Sequence, residues 1–298
     1  MTTDTCPAEM TLKFNIAGVA GFYSQLAGVL AGLAFAALIF LASARLDAVR
    51  NFSPEAEDTR RHLTEALGSA YRMLISAFLA LTLVSLGDAV LAGSSVSSGR
   101  AATEETVLAV AFSLAGAMLF YAVVLTLEAT ETLSSSSTDG KLSASGYARN
   151  VLVVIVAPVI VVYTGLGMTD YADVRYGSDH PISVIELLGI GMIVVQLAVS
   201  WIGYPVYCRR TPESRTPEEL SRSTTRIGWI FLVLVFASVV SFGIMDASAS
   251  EDPCTTFHPV VPSAAFVATS AALLLLTAHV ARFRAVEASR SEQVDQSS

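Results

Sequence analysis

Residues 18–41 read GVAGFYSQLAGVLAGLAFAALIFL. The hydrocarbon core of a bilayer is about 30 Å thick, and a helix needs roughly 20 mostly apolar residues to cross it. This stretch is long enough, yet it carries Tyr23, Ser24 and Gln25 in a row. On a helix at 100° per residue, Gly18, Gly21, Gln25, Gly28 and Gly32 fall within about 80° of one another. Small residues let a second backbone come close, and an amide in apolar surroundings seeks a hydrogen bond across that contact. Gln25 is therefore expected to point at protein, with the four glycines as a helix-packing stripe.

The rest of the chain follows the same logic. Of its 298 residues 53% are hydrophobic and only 15% charged, with a mean hydropathy of +0.59, well outside the range of water-soluble domains. Seven segments reach spanning length, at about 16–44, 69–93, 105–130, 149–167, 184–207, 226–246 and 260–282. They are too long and too apolar for barrel strands, so the fold class is all-α, a polytopic bundle of seven transmembrane helices. Nearly the whole chain is consumed, which makes residues 1–286 one membrane domain and 287–298 a polar, disordered tail. Ala42-Ser43-Ala44 has the small-x-small form of a cleavage site. The region before the apolar run, however, holds one Lys against Asp4 and Glu9, and a signal peptide needs a basic start. The first helix is read as retained.

Charge fixes an orientation. Loops assigned alternately to two sides leave Lys13, Arg100 and Arg175 on one side and the other fifteen bases on the opposite side. The positive-inside rule then places the N-terminus outside and the C-terminus in the cytoplasm of a plasma membrane. Trp201 and Trp229 fall near the inner interface, as aromatic anchors do. Eleven acids sit on or near the outer side, so nearly all of the net charge of −8 faces outward, a field that concentrates cations. The preponderance of Arg and Ala fits a GC-rich bacterial genome.

Spacing offers a repeat. Gly18, Gln25 and Gly32 match Gly189, Gln196 and Gly203, and Ser53 precedes Asp88 by the interval that separates Thr211 from Asp246. Read as homology this is a 3+1+3 parallel repeat; read as chance it reflects only how common glycine is in membrane helices. Small seven-helix sugar transporters share the parallel layout, but their Pro-Gln motif is absent. Ser53-Pro54-Glu55 and Thr216-Pro217-Glu218 have the form of helix starts, with a cap, a proline and an acid on the positive dipole end. Helices two and six are thus expected to begin before the membrane.

Asp88, in ALTLVSLGDAVLAG, is the sharpest candidate site residue. It lies about one turn inside the outer end of helix two, with Ser85 within bonding reach on the same face, and ionisable groups inside a membrane mark pathways. Glu186 and Asp246, at the outer ends of helices five and six, extend it into an acidic vestibule, and Gln25 and Gln196 continue a polar path. Glu128 is read as reaching to cytoplasmic water. Cys6 and Cys254, both outside, are candidates for a disulfide; with His180 and His258 they make a weaker zinc alternative. Pro158 is expected to kink helix four and free carbonyls.

Other chemistries lack their residues. The four His are scattered, against the three or more converging ligands of a membrane metallohydrolase. No mid-helix His offers haem ligation, and no Lys falls in a span to form a retinal Schiff base. Neither a Walker A run nor a Gly-x-Ser-x-Gly elbow appears, and the inner surface has no concentrated nucleic-acid patch. The expectation is a non-enzymatic protein without metal or cofactor, whose partners are the bilayer and either further copies or another membrane protein. Its function is a small channel or secondary transporter for cations or small polar solutes, the alternative being a sensor or accessory subunit.

Overall fold

The computed structural model describes residues 16–51, 57–93, 99–134, 144–176, 182–206, 217–247 and 258–297, with side chains described mainly within the spans. These form seven helices: α1 (Ile16–Asn51), α2 (Glu57–Gly93), α3 (Gly99–Ser134), α4 (Ala144–Tyr176), α5 (Val184–Val206), α6 (Pro217–Ala247) and α7 (Val260–Ser297). Each contains a stretch long and apolar enough to cross a membrane, from 23 to 33 residues. The chain is an integral membrane protein. Cys6, Cys254 and His180, and the residues Ser53-Pro54-Glu55, lie outside the described residues.

Its surface has the inverse grading of a soluble protein. Alanine is the commonest buried apolar residue, as at Ala20, Ala27, Ala31 and Ala34 of α1, whereas Phe22, Val29, Leu33, Ile39 and Phe40 of the same helix stand exposed. Lipid tails are as apolar as leucine, so large side chains gain little by turning inward, and helices associate by close contact of small ones. Hydroxyls are closed off within their own helices: Thr82, Thr106, Thr126, Thr269 and Thr277 each donate to the carbonyl four residues back at 2.8–2.9 Å. In lipid no water is present to take their place.

The helix α3 is the hub. It packs on α1, α2, α4, α6 and α7 and is the most buried of the seven. On one side α1, α2 and α6 gather around it, and on the other α4 and α7, with α5 packed outside against those two.

The two ends of the bundle differ. At the end carrying Gly93 and Tyr176, α2 and α4 stop where their apolar spans stop. At the opposite, base-rich end the helices project: α1 runs eight residues past Ser43, α2 begins seven before Thr64, and α7 continues fifteen past Arg282. The tail expected to be irregular from 287 is helical to Ser297; its Ala, Glu, Arg and Gln are good helix formers. The loop expected at 168–183 is also shorter, because α4 runs on to Tyr176.

Proline shapes α4 as anticipated. Pro158 has no N–H to give the carbonyl of Val154, and the residues before it, Leu152–Val156, widen into a π-helical turn. The freed carbonyl accepts instead from the Trp201 indole Nε1 at 3.1 Å. Trp201 is itself carried on a π-helical turn of α5, Val199–Gly203, so two irregular turns on adjacent helices satisfy one another.

Candidate functional site

The glycine stripe of α1 divides. Its alanine face lies against the bundle, so the small-residue contact that the glycines were expected to make is made by alanines instead. Gly21 and Gly28 border that contact: a Cβ there would lie 3.8 Å from Ala92 Cβ and 3.6 Å from Ser85 Oγ. Gln25 is nearly opposite the buried face and exposed on the surface of the single chain. The expectation that it points at protein fails within one copy. Gln196 differs: it is buried and donates through Nε2 to Ser200 Oγ at 3.1 Å, leaving its Oε1 without a donor among the described residues.

Asp88 is 3% exposed, and its Oδ2 has no hydrogen-bond partner among the described residues. Ser85 does not serve it. That hydroxyl donates to the Ser24 carbonyl at 2.9 Å, and Ser24 Oγ returns a bond of 2.9 Å to the Ser85 carbonyl. A reciprocal clasp satisfies both hydroxyls between α1 and α2, which a single bond to Asp88 would not.

A second acid lies near Asp88. Glu105 of α3 lies within electrostatic reach of it, and Asp170 of α4 within reach of Glu105. Tyr23 of α1 senses both Asp88 and Glu105 and stacks on Phe112 of α3 with ring centroids 5.3 Å apart. The level is common: Asp88 is five residues from the end of its span, Glu105 five and Asp170 six. At 1.5 Å per residue all three sit roughly 8 Å inside the bundle end. Among the described residues none forms an ion pair with a base. No group of three His, Cys, Asp or Glu among those residues is close enough to cage a metal ion.

The other predicted vestibule acids are committed elsewhere. Asp246 takes Arg100 Nη2 at 2.7 Å while Arg100 Nε holds Glu104 at 2.7 Å, a clasp that ties α3 to α6. Glu186 closes a capping box with Ser183 at the start of α5: its carboxylate accepts from the Ser183 N–H at 2.7 Å, and Ser183 Oγ accepts from the Glu186 N–H. Neither joins Asp88.

A second polar cluster occupies the base-rich end. Arg149 of α4 is 2% exposed and pairs with Glu128 of α3 at 3.3 Å, so the Glu128 carboxylate, 16% exposed, is held by a base while it keeps partial access to water. One turn on, Glu131 accepts the Ser145 N–H at 3.0 Å at the start of α4. Tyr204 OH donates to Asn150 Oδ1 at 3.1 Å. Tyr121, Thr224 and His279 form a chain of contacts at 3.3–3.4 Å. Between the two clusters Leu108, Ala111, Leu114, Ala115 and Met118 of α3 are fully buried. That layer separates Glu105 from Tyr121 by sixteen residues, roughly 24 Å of helix.

Comparison with known protein families, characterised proteins and solved structures returns no match.

Proposed function

We propose that this chain is a secondary transporter for protons or small monovalent cations, alone or with a small polar solute, and that Asp88, Glu105 and Asp170 form the site where the cation first binds. The carrying observation is Asp88: buried, with an oxygen that has no donor among the described residues, and with a second carboxylate of the hub helix within electrostatic reach. Carboxylates inside a membrane with no base beside them require a positive partner. A proton or a singly charged ion suits three acids too far apart to cage a metal. On the positive-inside reading this site opens to the outer face, where the chain's negative charge gathers cations. The apolar layer on α3 favours a carrier that alternates over an open channel, and we assign the protein no catalytic step.

A sensor or accessory role is the second reading, supported by the helices that project at the base-rich end as a surface for a partner. Reconstituted proteoliposomes separate the two. A transporter takes up protons or a monovalent cation down an imposed gradient, and a hydrophobic carbodiimide, which attacks protonated carboxyl groups in apolar sites, blocks the uptake. Well-folded protein that passes none of these ions refutes the transport reading and leaves the accessory one.

A further inference from the structure

A groove of about 200 Å³ opens between α2 and α6 near the base-rich end. Its depth is apolar, with Met73, Ile75, Leu79, Trp229 and Leu232 among the walls, and Leu79 and Trp229 are 44% and 63% exposed toward the lipid. Apolar walls open to the lipid suit an apolar guest, and Ser69, Ser76, Thr224 and Thr225 add hydroxyl residues to the lining. Gly228 keeps it open: a Cβ there would come within 3.3 Å of Met73 Cε.

The mouth is polar and cationic. Arg72 Nε donates to the Gly68 carbonyl and Nη2 to Ser221 Oγ, both at 3.1 Å, and Ser69 Oγ meets Ser221 Oγ at 3.0 Å. Those contacts orient a guanidinium that has five N–H groups and fix it at the rim of the groove. Among the residues that line the groove Arg72 is the base, and it stands at the opening. The level also fits. Arg72 is 21 residues from Gly93, where the span of α2 ends, roughly 31 Å along the helix. That is about one hydrocarbon thickness, so a long arginine side chain there can reach the headgroups of the opposite leaflet.

We propose that this groove binds an anionic phospholipid of the base-rich leaflet, its phosphate against Arg72 and the first part of one acyl chain between α2 and α6. Arginine favours phosphate through its forked donors, and basic pockets between membrane helices hold anionic headgroups. A free phosphate would leave the apolar walls unused, and a zwitterionic lipid would leave the mouth's charge unanswered.

Trp229 lines the site and reports on it. In a Trp201→Phe background it is the sole tryptophan, and lipids brominated on the acyl chain quench it on contact. In nanodiscs of phosphatidylcholine, brominated phosphatidylglycerol at low mole fraction should quench Trp229 about five-fold more effectively than brominated phosphatidylcholine, the preference that one arginine near the surface confers. Arg72→Gln should reduce that preference to near one. Arg282→Gln, which removes a base at the same end but on α7, should leave it intact. Equal quenching by the two lipids overturns the proposal, as does a preference that survives Arg72→Gln or falls equally in Arg282→Gln. Far-ultraviolet circular dichroism of each variant in the same nanodiscs confirms that a folded protein is being read, and Arg72→Lys, which keeps the charge, should restore part of the preference.

Discussion

Replacing Arg149 by Met should be among the most destabilising single changes in the chain. The guanidinium is 2% exposed and 3.3 Å from Glu128, whose side chain is 16% exposed. At an effective dielectric of 20, unit charges at that distance attract by about 5 kcal/mol. Removing one member of a buried pair typically costs 3–5 kcal/mol, because the other charge stays behind uncompensated. The residual exposure of Glu128 gives it some access to water, so the lower end applies, about 3 kcal/mol. Glu128→Leu takes the carboxylate away from the more enclosed guanidinium and should cost at least as much. The double variant Arg149→Met with Glu128→Leu buries no charge and should recover most of the loss. Equilibrium unfolding of the four proteins, by steric trapping in bicelles, gives the coupling energy directly. Additive single effects, or an Arg149→Met protein within 1 kcal/mol of wild type, would refute the claim that this pair fastens α3 to α4.

Two further expectations follow from the close crossing of α4 and α5. Gly165→Ala places a Cβ 2.9 Å from Ile193 Cδ1 and should destabilise by about 1–2 kcal/mol; Ile193→Ala in the same chain should relieve part of that cost in the same unfolding assay. Trp201→Phe removes the donor to the Val154 carbonyl and should cost about 1 kcal/mol, the scale of one hydrogen bond between membrane helices. Adding Pro158→Ala restores the missing N–H and should return part of it; an unchanged stability in Trp201→Phe would show that the bond carries no weight.

Much of the architecture is legible in the residues, because apolar length is what a bilayer demands. Six of the seven spans appear within five residues of where hydropathy places them, the fourth runs nine residues past its expected end to Tyr176, and Pro158 signals its freed carbonyl in advance. The site is less legible. Asp88 stands out since it is an acid within an apolar run, but its companions do not. Glu105 sits at the edge of its apolar run and reads as a loop acid, although α3 begins six residues earlier. Asp170 follows Gly167, where hydropathy falls while the helix continues; the three- and four-residue spacing of Thr164, Met168 and Tyr171 was the available signal. Arg149 was hidden likewise at the start of a span. Gln25 misled for a different reason. Its face was chosen by glycine, but alanine is as useful for close approach and is more abundant on the opposite face of α1. The two glutamines that the spacing would pair occupy opposite environments, one exposed and one buried.

The account turns on whether the acids within electrostatic reach of one another around Asp88 do something that the other outer acids do not. Ion uptake into proteoliposomes should be compared for Asp88→Asn, Glu105→Gln and Glu186→Gln, at matched amounts of folded protein. The prediction is that the first two lose at least ten-fold in rate while Glu186→Gln, in the capping box of α5, stays within about two-fold of wild type. Full uptake in Asp88→Asn, or an equal loss in all three, would contradict it.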